Sequence, residues 1–128
     1  MAKSLEVVFN NLQEYPEKVV RGTLLEMSSR IIKRSPVDTG RFRGNWNASF
    51  NAPVKSVSNK TDSSGAASLS KTANLLVNFE MGQTFYLTNN LPYSLKLEFG
   101  SSKQAPGGMV RLTAAEFDAE IKKQAAKL

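Results

Sequence analysis

Apolar residues recur with a helical period after Pro16. Val20, Leu24, Met27 and Ile31 are spaced by four, three and four, which places them on one face. Leu25 and Ile32 widen that stripe, and Glu17, Lys18, Arg21, Glu26, Arg30 and Lys33 fill the remainder. Pro16 suits a first helical turn, where its missing N–H has no partner to lose. The helix must stop near Arg34, because Ser35 precedes Pro36 and is driven out of the α region. Upstream, Leu5, Val8, Phe9 and Leu12 predict a short extra helix or a close-packed arm. Over 41–51 the period changes to two. Phe42, Gly44, Trp46, Ala48 and Phe50 alternate with Arg41, Arg43, Asn45, Asn47, Ser49 and Asn51, predicting a strand with an aromatic face inward. A strand with one wet face belongs in an antiparallel or mixed sheet.

Residues 53–65, rich in Pro, Lys, Ser, Asn, Asp and Gly, read as a long mobile loop. Leu69, Ala73, Leu76 and Phe79 predict a second helix over 66–79, closed by Gly82 as a C-terminal cap. Thr84 to Thr88 reads as a second strand. Asn89 and Asn90 form a turn, and 92–99 a short helix ended by Gly100. After a loop over 100–108, Thr113 and Glu116 have capping-box spacing, and Leu112 with Phe117 that of a hydrophobic staple. The final helix carries Ala114, Phe117, Ile121 and Leu128. These elements sum to one α+β domain over 1–128: a small antiparallel or mixed sheet packed against the N-terminal and C-terminal helices. Trp46 belongs in its core and contributes roughly 2–3 kcal/mol by buried area.

Composition narrows the chemistry. The 128 residues contain no Cys and no His, so disulfides, thiolate zinc sites, Cys nucleophiles, Ser-His-Asp triads and His metal clusters cannot form within the chain. No apolar run spans a bilayer as a helix, and the start of the chain lacks the apolar core of a secretory signal, reading as a cytoplasmic product. Asp38, Glu80 and Glu98 are candidate acids, but no spacing joins two of them on one element; a hydrolase using Asp38 or Glu98 requires a concave site with a perturbed carboxyl. The Gly-rich stretches 40–44 and 100–108 lack the pattern and strand-to-helix context of a phosphate loop. No cofactor or metal site is expected.

The net charge is +6, and Arg30, Lys33, Arg34, Arg41 and Arg43 cluster where the first helix ends and the strand begins. On a strand Arg41 and Arg43 share a face, about 7 Å apart, and such a patch contacts phosphates with little base specificity. The competing reading is cations compensating a helix C-terminus. In Ser35 to Trp46, Pro36 breaks the helix, Asp38 and Thr39 bond the turning backbone, and Gly40 admits an unusual dihedral: a sharp helix-to-strand corner.

SPVDTGRFRGNW at 35–46 resembles the signature of the minor tail protein Z-like, or tail-completion, family of long-tailed bacteriophages. TNNLPYSLKLEFG at 88–100 and KQAPGGMVR at 103–111 match a second block of that family in order and spacing. The resemblance covers most of the chain outside 53–83, which reads as an insertion. It implies a non-enzymatic structural protein of the virion, acting in a ring at the head–tail junction or upper tail end. Its partners would be other tail or neck proteins and further copies of itself, with DNA in the channel as a possible contact and no membrane. The host cytoplasm is where it would assemble. The motif residues implied as fold and interface determinants are Pro36, Asp38, Thr39, Gly40, Arg41, Arg43 and Trp46; Asn90, Pro92, Tyr93, Glu98 and Gly100; and Pro106, Gly108, Met109 and Arg111. A heterologous ring contact pairs unlike surfaces. Arg41 and Arg43 on one side, with Glu98, Glu116, Asp118 and Glu120 on another, are the expected charge complement. The alternative function is a small nucleic-acid-binding protein using the patch from Arg30 to Arg43.

Overall fold

The computed structural model describes residues 4–9, 15–100, 104 and 107–128, Phe9 by its backbone only. It is the expected α+β architecture, with a three-stranded antiparallel sheet in the order β1-β3-β2. The strands are β1 (Leu5–Phe9), β2 (Trp46–Phe50) and β3 (Phe85–Asn89). The helices are α1 (Glu17–Arg34), α2 (Ala66–Leu76), α3 (Ser94–Glu98), α4 (Val110–Ala114) and α5 (Phe117–Ala126). In register, Leu5 and Trp46 flank Asn89, and Val7 and Ala48 flank Leu87. One face of the sheet therefore joins Val20, Leu24, Ile31 and Ile32 of α1 in a single core with Phe42, Trp46, Leu76, Phe85 and Met109. Among the described residues no helix is long and apolar enough to cross a membrane.

Helix α1 forms where its period places it, with Val20, Leu24, Met27 and Ile31 all buried. It stops at Ser35, whose ψ of 135° is extended, as the following proline demands. The segment from Leu5 is a strand rather than a helix or arm. Glu6 and Val8 are exposed while Leu5 is buried, and β3 supplies the edge that β-branched residues pair with. Leu12 lies outside the described residues.

The strand expected from 41 begins only at Trp46. Residues 43–45 form a single 3-10 turn, in which the Gly44 N–H bonds the Gly40 carbonyl and the Asn45 N–H bonds that of Phe42. Arg41 and Arg43 thus do not share a strand face, and Asn45, expected on the wet side, is buried. The inward aromatics hold: Phe42 and Trp46 are buried edge-to-face at 5.9 Å, and Phe50 packs on the core.

Two helix boundaries and one packing arrangement follow tertiary contacts rather than local signals. Helix α2 ends at Leu76, where Arg21 of α1 donates to the Leu76 and Phe79 carbonyls, so Gly82 belongs to a later turn and caps nothing. Thr113 lies inside α4, and no side chain caps α5 at Glu116, so the capping box does not form. Both residues bond Arg34 of α1 instead. Finally, α5 packs along α1 rather than on the sheet, and it is α2 that backs β2.

Candidate functional site

The corner after α1 is held from inside. The buried Trp46 Nε1–H donates to the Ser35 hydroxyl at 2.8 Å, which donates in turn to the Ile31 carbonyl at 2.7 Å. Pro36 is buried beside it. The Thr39 hydroxyl accepts from the Arg41 N–H, whereas Asp38 is exposed and has no hydrogen-bond partner among the described residues. Gly40 adopts φ +88°, and a Cβ there would lie 2.7 Å from Ser63 N and Oγ. Only glycine satisfies both constraints.

The neighbour crowding Gly40 is the 53–65 segment, which has no regular structure but is bonded along most of its length. Asn90 donates to the Val54 and Ser56 carbonyls, and Asn45 exchanges bonds with both the N–H and carbonyl of Ser58. Arg41 donates to the Ser58 carbonyl, and the Asp62 N–H reaches the Gly40 carbonyl. The Asp62 carboxylate then accepts from the Ser68 N–H at the start of α2. Burial opposes its ionisation, but the bonds from Ser68, Ala67 and Gly65 prevail and hold its pKa below the usual carboxylate value. A segment written in loop residues is thus a strap along the corner.

The second block closes on itself. Glu98 is 2% exposed, and its Oε1 accepts from the Met109 and Val110 N–H groups at 2.8 and 2.9 Å. Its Oε2 accepts from the N–H and Nε of Arg111 at 2.9 and 3.1 Å. The carboxylate therefore saturates the first turn of α4, whose N–H groups have no helical partner. Burial pushes the Glu98 pKa up; the bonds from Arg111, Met109 and Val110 outweigh it and hold it below the ordinary value. Gly108, at φ +84°, lets the chain pass, since a Cβ would sit 2.6 Å from the Glu98 carbonyl oxygen. Met109 is fully buried, Arg111 stacks over the Phe99 ring at 4.7 Å, and Gly100 ends α3 at φ +87°. Pro106 lies outside the described residues.

The two blocks meet in one cleft of about 270 Å³. Pro36 to Gly40 and Phe42 form one wall, and Tyr93 and Leu97 the other, with Gln104 at the edge. The Phe42 and Tyr93 rings lie 6.0 Å apart across it, and Pro92 is exposed beside them. Gln104 binds Val37 reciprocally, accepting from its N–H and donating to its carbonyl.

The basic cluster is not a free patch. Arg43 donates to the carbonyls of Lys33, Ser35 and Ser63, so it terminates α1. Arg30 pairs with Glu116 and Glu120, and Arg34 grips Glu116 with both terminal nitrogens. The bond from Arg34 is the chief reason that the Glu116 pKa lies below its ordinary value. For Glu120, burial acts upward but Gln124 and Arg30 prevail, and its pKa is likewise lowered. The acids expected to face a neighbour's arginines are thus engaged within the chain: Glu98 by Arg111, Glu116 and Glu120 by Arg30, and the exposed Asp118 by Lys122 at 2.8 Å. Arg21 and Arg111 are bonded too, so all six arginines donate internally, while Lys33 is exposed. The motif spacing pointed to the corner and to Glu98. Gln104, Asn45 and Asn89 lie within the motif blocks but were not singled out, although the buried Asn89 amide donates to the Phe42 carbonyl. Among the described residues no group of three acids converges as a metal site would need. Compared with known proteins, the chain matches no family model, no curated protein and no solved structure.

Proposed function

We propose that this chain is a non-enzymatic structural protein of a long-tailed bacteriophage virion, one copy in a ring at the head–tail junction or upper tail end. The observation that carries this reading is convergence. Residues of the two blocks, about fifty positions apart, form opposite walls of one cleft and brace it from behind through Glu98, Gly40 and Trp46. Asp38 and Tyr93 stand exposed at that cleft, while most other motif residues are occupied in holding it. Rigid support behind a shaped surface is what a docking protein needs, because ordering a loop on contact costs affinity.

The nucleic-acid reading relied on the guanidiniums near the corner, which are bonded to carbonyls and carboxylates of the chain itself. A hydrolase reading relied on Asp38 or Glu98; Glu98 is sealed among backbone N–H groups. The test is a nonsense allele in a phage encoding this chain. Filled heads and separate tails should accumulate in the lysate by electron microscopy, and purified protein should restore joining. Normal infectious yield without the chain would defeat the proposal.

A further inference from the structure

The cleft combines an apolar floor, an aromatic wall and a single carboxylate. Phe42 and Leu97 lie in it, Tyr93 is 38% exposed at its side, and Asp38 lines it without a cation partner among the described residues. A lysine side chain fits this combination, since its four-carbon stem covers apolar surface while its ammonium seeks a carboxylate or the face of a ring. The space of about 270 Å³ suits one long side chain rather than a helix.

The charge distribution names the source. Copies of a +6 chain repel one another, so an unpaired acid at the contact favours self-association by meeting a neighbour's surplus cation. Every arginine is engaged internally, and of the lysines among the described residues only Lys122 forms a salt bridge. Among the described residues the surface therefore offers free lysines and few free acids, of which Asp38 is the one seated in the motif cleft. We infer that the cleft is a socket for a lysine of a second copy of this chain, with Asp38 binding the ammonium and Phe42 and Leu97 carrying the stem. This rests on the ring proposed above.

The test is zero-length carbodiimide coupling of a mixture of isotopically heavy and light full-length chains at high concentration, and of purified particles. Mass spectrometry should find an Asp38–lysine amide joining a heavy copy to a light one. Asp38→Asn, checked for an unchanged melting temperature, should abolish that amide, and Asp38→Lys should weaken self-association at least tenfold. Replacing the coupled lysine by Asp in the Asp38→Lys background should restore it. Copies that associate without an Asp38 amide overturn the socket but leave the tail assignment standing, as does an Asp38 amide only to a different virion protein. A chain that forms no copy-to-copy amide in solution or in particles also overturns it. Absence of the chain from particles removes the tail assignment itself.

Discussion

Glu98→Gln is the substitution that the structure makes most informative. It keeps the size and shape of a buried side chain but exchanges an acceptor oxygen for an NH₂ group. Because both carboxylate oxygens accept, from Met109 and Val110 on one side and from Arg111 on the other, the new amide must set donor against donor in either orientation. Hydrogen bonds to a charged group contribute about 1.5–3 kcal/mol each without adding fully, so the exchange should cost roughly 2–4 kcal/mol. That is a large share of the roughly 5–15 kcal/mol of a whole domain. Urea unfolding near neutral pH should show it directly as a lower midpoint.

Acid then separates this account from simple packing loss. The folded pKa of Glu98 lies below its unfolded value of about 4.3, so near that pH the unfolded chain binds more protons. The stabilisation is present above the unfolded value and is lost as pH falls through the folded one. Asp62, Glu116 and Glu120 share the direction of shift, so the quantity to follow is the gap between wild type and variant. That gap should be full near neutrality and should narrow on acidification below about pH 4.3. A midpoint within experimental error of wild type, or a gap that does not narrow in acid, would refute the reasoning.

Two further comparisons probe the corner. Gly40→Ala and Gly82→Ala both force alanine into positive φ, a strain of about 1–2 kcal/mol. Only at Gly40 does the added Cβ also strike Ser63, so it should unfold at a clearly lower temperature than Gly82→Ala; equal losses by calorimetry would contradict the strap. Arg43→Lys keeps the charge but cannot reach three carbonyls with one planar fork, and should cost about 1–3 kcal/mol in denaturant titration. An unchanged midpoint would return Arg43 to the list of available surface cations.

What could be read along the chain was what depends on near neighbours. The four-three-four spacing in α1, the proline stop, the alternation from Trp46 to Phe50 and the aromatic and β-branched residues of β3 are each local signals, and each reappears in the fold. The two motif blocks were also visible, though not their meeting. Where local signals failed, a distant group had outbid a near one. The capping box lost to Arg34, some eighty residues away in sequence, because a guanidinium–carboxylate pair outweighs a neutral cap.

Sequence alone settled the long first helix and its proline stop, which side chains are apolar enough to be buried, and that thiol and imidazole chemistry is absent; it mistook the Leu5 strand for a helix or arm and the 43–45 turn for strand. Only the tertiary structure decided which carbonyl each arginine and asparagine amide satisfies, that 53–65 is a strap, and that Pro36 and Tyr93 share a cleft. The physical reason is range. Periodicity and proline sterics act within a turn or two of chain, whereas a buried polar group must find whichever partner folding delivers, and its sequence position carries no record of which that will be.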